Sequence, residues 1–433
     1  MLPKTTYQIT LYSLGNVLLK FVGILLLPLY TSVFKTTEFG IIGLVELLSL
    51  IITTVLSLNL SQALVRWLSD EDQQQSKSIV FTVLLINVSL IIVFSLFTFP
   101  FLKQISELFF KTDIYKTLIL LMFISIYIDI LNRIPLSLIR SKEKPVLYIV
   151  SMVIKCLITL VANIYLIKYT YLGIASVLVA SILGNLAFFI CTFPLLIKNI
   201  YCHFLKHEVP ALLRYSVPLI FVGLGSVLLN MGDRYVLNIY SGLGEVGIYS
   251  FGYKVASIVN MFVLQGVNLA VLPLALKSFD SETGVLFLRK IMSYLTIILC
   301  FMFVAISLLS LNFLHYFTNN QEYLLANKII PVLLFAYIFD GVRILYSYHI
   351  LYVKKTLWNA YLTIFSAILN IGLNFIVVPK YGFIGAAYTT LLTSMLTYLT
   401  FKKVAQKMVY VKYDDRIFWG AIIIAVAGFV FIA

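Results

Sequence analysis

The sequence predicts an all-α polytopic membrane protein built as two parallel six-helix bundles, a twelve-helix core, with an additional C-terminal transmembrane segment. Three observations predict it. Of 433 residues, 61% are hydrophobic and only 12% are charged, whereas roughly a quarter of a soluble domain is charged. Leu, Ile, Val and Phe fall in runs near the ~20 residues that cross ~30 Å of hydrocarbon at 1.5 Å per residue. The pattern of turns and polar positions in the first half returns in the second.

The chain opens with MLPKTTYQIT, one Lys before a long apolar segment and no small-residue cleavage site, so residues 9–33 read as an uncleaved first span. Further spans are expected at 39–60, 78–101, 115–139, 146–168, 172–197, 213–240, 246–275, 290–317, 328–352, 357–378, 383–402 and 416–433. The last, from Arg416 to Ala433, is just long enough to cross. Connections are short, the longest being near 15 residues, Lys198 to Leu212. No connection can hold a folded soluble domain, which disfavours an enzyme with an extramembrane catalytic surface. Cys156, Cys191, Cys202 and Cys300 are scattered without disulfide or metal spacing and read as small apolar fillers. His203 and His207 are four apart but lack a visible third ligand, so no metal and no cofactor is expected.

The net charge is +14. With the N-terminus cytoplasmic, 19 Lys and Arg fall on the cytoplasmic side and 7 on the other. That bias fixes the orientation and explains most of the charge, so nucleic acid is not an expected partner. Glu38-Phe39-Gly40-Ile41 opens the second span and Glu245-Val246-Gly247-Ile248 opens the eighth, 207 residues on. Ser151, Thr159 and Asn163 likewise align with Thr363, Asn370 and Asn374. Six spans separate equivalent points, and an even number makes the two copies run the same way through the membrane, with a binding site expected between the halves. The expected domains are residues 1–200, residues 201–404, and a cytoplasmic connector with the terminal membrane segment at 405–433.

Ten charges lie inside spans: Lys20, Arg133, Lys155, Arg234, Lys254 and Arg343 against Glu46, Asp129, Asp233 and Asp340. Facing lipid, they would cost on the order of 30 kcal/mol even on insertion scales. They are therefore expected to face one another or a watery cavity. Asp129 and Arg133 are four apart, and Asp340 and Arg343 three apart, so each pair shares a helix face. Lys20, Lys155 and Lys254 each lie in a polar stripe: Ser13/Asn16/Lys20, Ser151/Lys155/Thr159/Asn163 and Ser250/Lys254/Ser257. Steps of three, four and seven put each stripe on one side of its helix. The surplus of cations favours an anionic ligand, with Arg and Lys the usual partners of phosphate. The four acids are candidates for ion pairs or for proton or sodium coupling, and Pro135 and Pro218 for helix kinks.

The stretches YSLGNVLLKFVGILLLPLYTSVFKTTEFGIIGLVELLSL and NLSQALVRW resemble the first two helices of Wzx-type polysaccharide flippases, members of the multidrug/oligosaccharidyl-lipid/polysaccharide exporter superfamily. YSVPLIF, MGDRYVLNIYSG and VGIYSFGYKVA are similar to that family's seventh and eighth helices, and KYGFIGAAYTT to the turn before its twelfth. The resemblance implies a flippase of the bacterial inner membrane. It would move an undecaprenyl-pyrophosphate-linked oligosaccharide by alternating access, for O-antigen, capsule or exopolysaccharide biosynthesis. A polymerase and a chain-length regulator of the same pathway are the implied partners, besides the lipid bilayer. Cationic cavity residues are typical of such proteins, and Lys20, Arg133, Lys155, Arg234, Lys254 and Arg343 are the candidates here. A drug/cation antiporter of the same superfamily is the alternative, for which an acidic cavity is expected. A membrane polymerase or glycosyltransferase lacks room in these loops, and a pure scaffold leaves the ten charges unexplained.

Overall fold

The computed structural model describes Gly15, Leu18 and residues 21–68, 73–318 and 320–432. Lys20, with Ser13 and Asn16 of its stripe, lies outside the described residues. Every regular element among the described residues is helical. Hydrocarbon offers no hydrogen-bond partners, and a helix satisfies its own backbone within the segment. Ten helical stretches are long and apolar enough to cross a membrane, so the protein is a polytopic all-α membrane protein.

The helices are α1 (Leu27–Val33), α2 (Thr36–Leu56), α3 (Leu60–Trp67), α4 (Gln73–Thr98), α5 (Leu102–Phe110), α6 (Lys116–Ser141), α7 (Pro145–Tyr169) and α8 (Ala175–Lys198). They continue as α9 (Val209–Tyr240), α10 (Leu243–Val259), α11 (Gln265–Ser278), α12 (Glu282–Phe317), α13 (Ile330–Tyr352), α14 (Thr356–Met408) and α15 (Asp415–Ile432). Local chemistry sets their ends. The Lys35 amide donates to the Glu38 carboxylate at 2.8 Å, closing the start of α2. Pro145 occupies the first turn of α7, where its missing N–H is harmless. The Ser281 hydroxyl accepts from the Gly284 amide at 3.1 Å and caps α12. A π-helical segment, Asn260–Leu264, joins α10 to α11.

The two spans expected at 357–378 and 383–402 are the two helical arms of α14, separated by a kink at Gly382. There φ is 54° and ψ is −139°, a conformation open essentially to glycine alone. A methyl group at Gly382 would also overlap the Glu245 carboxylate, which accepts from the Phe383 amide at 2.8 Å.

The chain divides into two compact units, one of residues up to Leu26 with Leu44–Val227, the other of Leu27–Gly43 with Leu228–Ala433. In the first unit, Leu64, Val83, Leu138, Tyr148, Met152 and Phe188 bring five helices to one apolar core. The core of the second unit is aromatic. Phe39, Phe251 and Tyr323 form one cluster. Phe339, Tyr346, Tyr398, Tyr413 and Phe418 form another. Also within the second unit, Gly40 and Gly247, equivalent positions of the duplicated motif, face each other across α2 and α10. A methyl on Gly40 would overlap the Leu243 carbonyl, and one on Gly247 the Thr36 carbonyl. Such glycines let membrane helices meet backbone to backbone.

Gly382→Ala is expected to lower the unfolding free energy of the purified chain by about 1–3 kcal/mol. Gly372→Ala, where a methyl meets nothing within 4 Å, is expected not to destabilise. Thermal melting in detergent checks this, and equal loss in both variants would contradict the strain assigned to Gly382.

Candidate functional site

In the first unit α6 carries Asp129, Asn132, Arg133 and Arg140 along one face, at steps of three, four and seven. Arg133 Nε lies 3.3 Å from Asp129 Oδ2, as the four-residue spacing predicts. The Arg133 side chain forms no other hydrogen bond among the described residues, so its terminal amino groups remain for a ligand. From α7, Lys155 reaches the same wall, its Nζ 5.9 Å from the centre of the Phe188 ring. Asp129, Arg133 and Lys155 together line two neighbouring cavities of about 280 Å³ and about 220 Å³. Arg140 joins the first, and Ser125, Ser181 and Asn185 the second. Both cavities are lined by the first unit alone. The buried side-chain oxygens of Asn132 and Asn185 accept no hydrogen bond among the described residues.

The electrostatics follow from that lining. Arg133, Arg140 and Lys155 face one carboxylate, Asp129, so the wall has two positive charges in excess. At an effective dielectric near 20, one unit charge attracts an opposite one at ~4 Å by about 4 kcal/mol. A dianionic phosphate-type group meets the excess charge for charge. Arg140 was expected in a cytoplasmic turn and not at the site. Its spacing of seven from Arg133 was the signal that could have placed it.

The second unit repeats the pair on α13. Arg343 Nε lies 3.3 Å from Asp340 Oδ1, and Ser394 of α14 donates to Asp340 Oδ2 at 3.2 Å. The Arg343 guanidinium is 5.2 Å from the centre of the Phe401 ring. Lys254 stands beside Phe39, with its Nζ 5.5 Å from the ring centre. Glu46 lies half-buried on α2 in the first unit.

Asp233 and Arg234 are fully buried, and they turn to different partners. Arg234 donates from Nε to Ser250 at 3.0 Å and from Nη1 to the Asn230 carbonyl at 3.3 Å, beneath the Tyr253 ring. Asp233 accepts from Asn374 Nδ2 at 2.7 Å, from Thr390 Oγ1 at 3.1 Å and from the Tyr249 hydroxyl. Asn374 in turn accepts from Thr389 at 2.8 Å, and donates to the Asn370 carbonyl at 3.0 Å. Adjacency in sequence suggests an ion pair here; helical geometry instead sends neighbours about 100° apart around the axis, and each finds its own network. Tyr249 and Thr390 carry no signal in the sequence that separates them from other polar residues of apolar helices.

Comparison with known proteins agrees with this architecture. The solved structure of lipid II flippase MurJ in an inward closed conformation superposes with a TM-score of 0.74 at 18% identity, covering 98% of each chain. An inward-facing multidrug resistance MATE family transporter of the MOP superfamily gives 0.71 at 13% identity, covering 94% of this chain and 95% of that one. An uncharacterized membrane protein of Methanocaldococcus jannaschii is 27% identical over 205 residues, 47% of this chain and 46% of the relative, so the match spans under half the length of that relative. The MatE family matches residues 218–376. The polysaccharide biosynthesis protein family matches residues 6–279, well over half of the chain. With that match over more than half of its length, the chain belongs to the polysaccharide biosynthesis protein family.

Proposed function

We propose that the chain is a flippase carrying an undecaprenyl-pyrophosphate-linked oligosaccharide repeat unit across the bacterial inner membrane, for O-antigen, capsule or exopolysaccharide synthesis. The observation that carries this reading is the polar wall of α6 and α7, where Arg133, Arg140 and Lys155 outnumber Asp129. The pyrophosphate lies against these three cations. Asn132, Asn185, Ser125 and Ser181 offer hydrogen bonds to sugar hydroxyls. The polyprenyl tail stays in lipid, and the protein alternates access to the two sides. Family membership and the structural likeness to a lipid II flippase support the same substrate class. The reaction is transport, with no covalent step asked of any side chain.

Arg133→Ala, Arg140→Ala and Lys155→Ala, made singly in a strain lacking its own copy, are each expected to lower surface glycan about tenfold at equal expression, since one charge-assisted contact contributes ~1.5–3 kcal/mol. Full glycan from all three variants would eliminate this role for the cavity. Lys20, Lys254 and Arg343 belong to the same set of candidate ligands. Arg234 is the exception, fully buried with its Nε and Nη1 engaged inside the protein.

Among the acids, Asp129 and Asp340 are paired with arginines. Asp233 is held by neutral donors only, which makes it our choice for proton or sodium coupling. In proteoliposomes, Asp233→Asn is expected to abolish the response of transport to an imposed ion gradient while substrate binding persists. A gradient response equal to wild type would remove Asp233 from that role.

A cation-coupled multidrug antiporter is the second reading, and the MatE match over residues 218–376 favours it. Export of a cationic dye by the purified chain, with no effect of its deletion on surface glycan, would decide for it.

A further inference from the structure

A third polar cavity lies in the second unit. It has a volume of about 930 Å³ and lies between the first turns of α12, the end of α14 and the start of α15. Arg289, Lys290, Lys412 and Arg416 line it, with Asp414 and Asp415. Both acids are already engaged. Asp414 accepts from the Arg416 amide at 3.0 Å and the Ile417 amide at 3.4 Å, capping α15. Asp415 pairs with Lys402 at 2.7 Å, outside the group of four cations. None of the four cations forms an ion pair among the described residues. The Nε of Arg289 is buried and bonds to no acceptor.

The rest of the lining is aromatic and apolar. Tyr294 is 60% exposed and Ile417 40% exposed. Tyr413 forms a fixed wall: it is buried, and its hydroxyl meets His349 Nε2 at 2.7 Å. The other nitrogen, His349 Nδ1, faces the Val409 carbonyl at 2.9 Å and must donate to it, which leaves Nε2 to accept from Tyr413. The site thus has an unneutralised basic floor and an apolar rim, at the ends of helices that cross the membrane, on the side where the cations of the sequence concentrate. Basic pockets beside spans attract anionic headgroups at about 1 kcal/mol per Lys or Arg, and aromatic side chains sit at headgroup level.

We propose that this cavity binds the phosphodiester headgroup of an anionic phospholipid, separately from the transported substrate. Arg289 and Arg416 hold the phosphate oxygens, Lys290 and Lys412 add charge at the mouth, and Tyr294 and Ile417 cover the glycerol and the first acyl carbons. The ligand bridges α12 to α14 and α15, which the Lys402–Asp415 pair already joins to each other.

Native mass spectrometry of the full chain in detergent tests this, with phosphatidylglycerol, phosphatidylcholine and inorganic phosphate as probes. Wild type is expected to retain phosphatidylglycerol at concentrations where phosphatidylcholine is lost. The K290Q/K412Q/R416Q variant is expected to bind it at least about tenfold more weakly, and K354Q/K355Q, with two other basic residues removed, as well as wild type does. Equal retention by the triple variant, or equal retention of phosphatidylcholine, would overturn the proposal. Displacement of phosphatidylglycerol by inorganic phosphate would make a soluble phosphate the ligand and overturn the lipid assignment. If the triple variant does not fold, R416Q alone carries the test, because Arg416 is exposed and its side chain holds no other group among the described residues.

Discussion

A charge placed in hydrocarbon must be met by the protein itself, and the architecture of both units follows from how that is done. Three solutions coexist. Arg133–Asp129 and Arg343–Asp340 are neutralised along their own helices, at the same 3.3 Å separation. Asp233 is met by three neutral donors from α10 and α14. Arg234 is met by a hydroxyl, a carbonyl and an aromatic face. The last two tie a charge to a particular rotation of its helix, because a helix turned by one residue would carry Asp233 or Arg234 away from partners on its neighbours. Apolar packing alone would tolerate such turns, since lipid is as apolar as the helix faces.

The chamber of the first unit is where this accounting is left open. Lys155 comes from α7 onto a wall of α6 whose one acid already has an arginine. The imbalance is stable only because the cavity is polar on several sides, with serines and asparagines from α2, α3 and α8 around it. That is the arrangement expected of a site whose missing counter-charge arrives with a ligand.

Much of this was legible in the sequence. The spans follow from run length, and both acid–base pairs from spacings of three and four. The break at Gly382 was legible as a turn between two spans, and the backbone there leaves helical geometry. Other features were not legible, for physical reasons. Asp233 and Arg234 are neighbours in sequence, and only the positions of α10 and α14 decide which partner each one reaches. The grouping of Leu27–Gly43 with the second unit depends on side chains such as Phe39 finding Phe251 and Tyr323, more than two hundred residues away. Arg140 falls at the end of a helix, where a count of loop cations assigns it to the surface; the reach of its side chain brings it back to the cavity.

Aromatic packing in the second unit gives α15 a structural role. Phe418 of α15 stacks near Phe339 of α13 and Tyr398 of α14, and Tyr413 just ahead of it rests on Tyr346. Phe339 is the residue immediately before Asp340, and Tyr346 lies three beyond Arg343. The terminal helix therefore acts as a brace pressed against the back of the element that holds the acid–base pair. Loosening α15 would strip aromatic packing from the helix that carries Asp340 and Arg343, so the final segment contributes to how firmly that pair is seated.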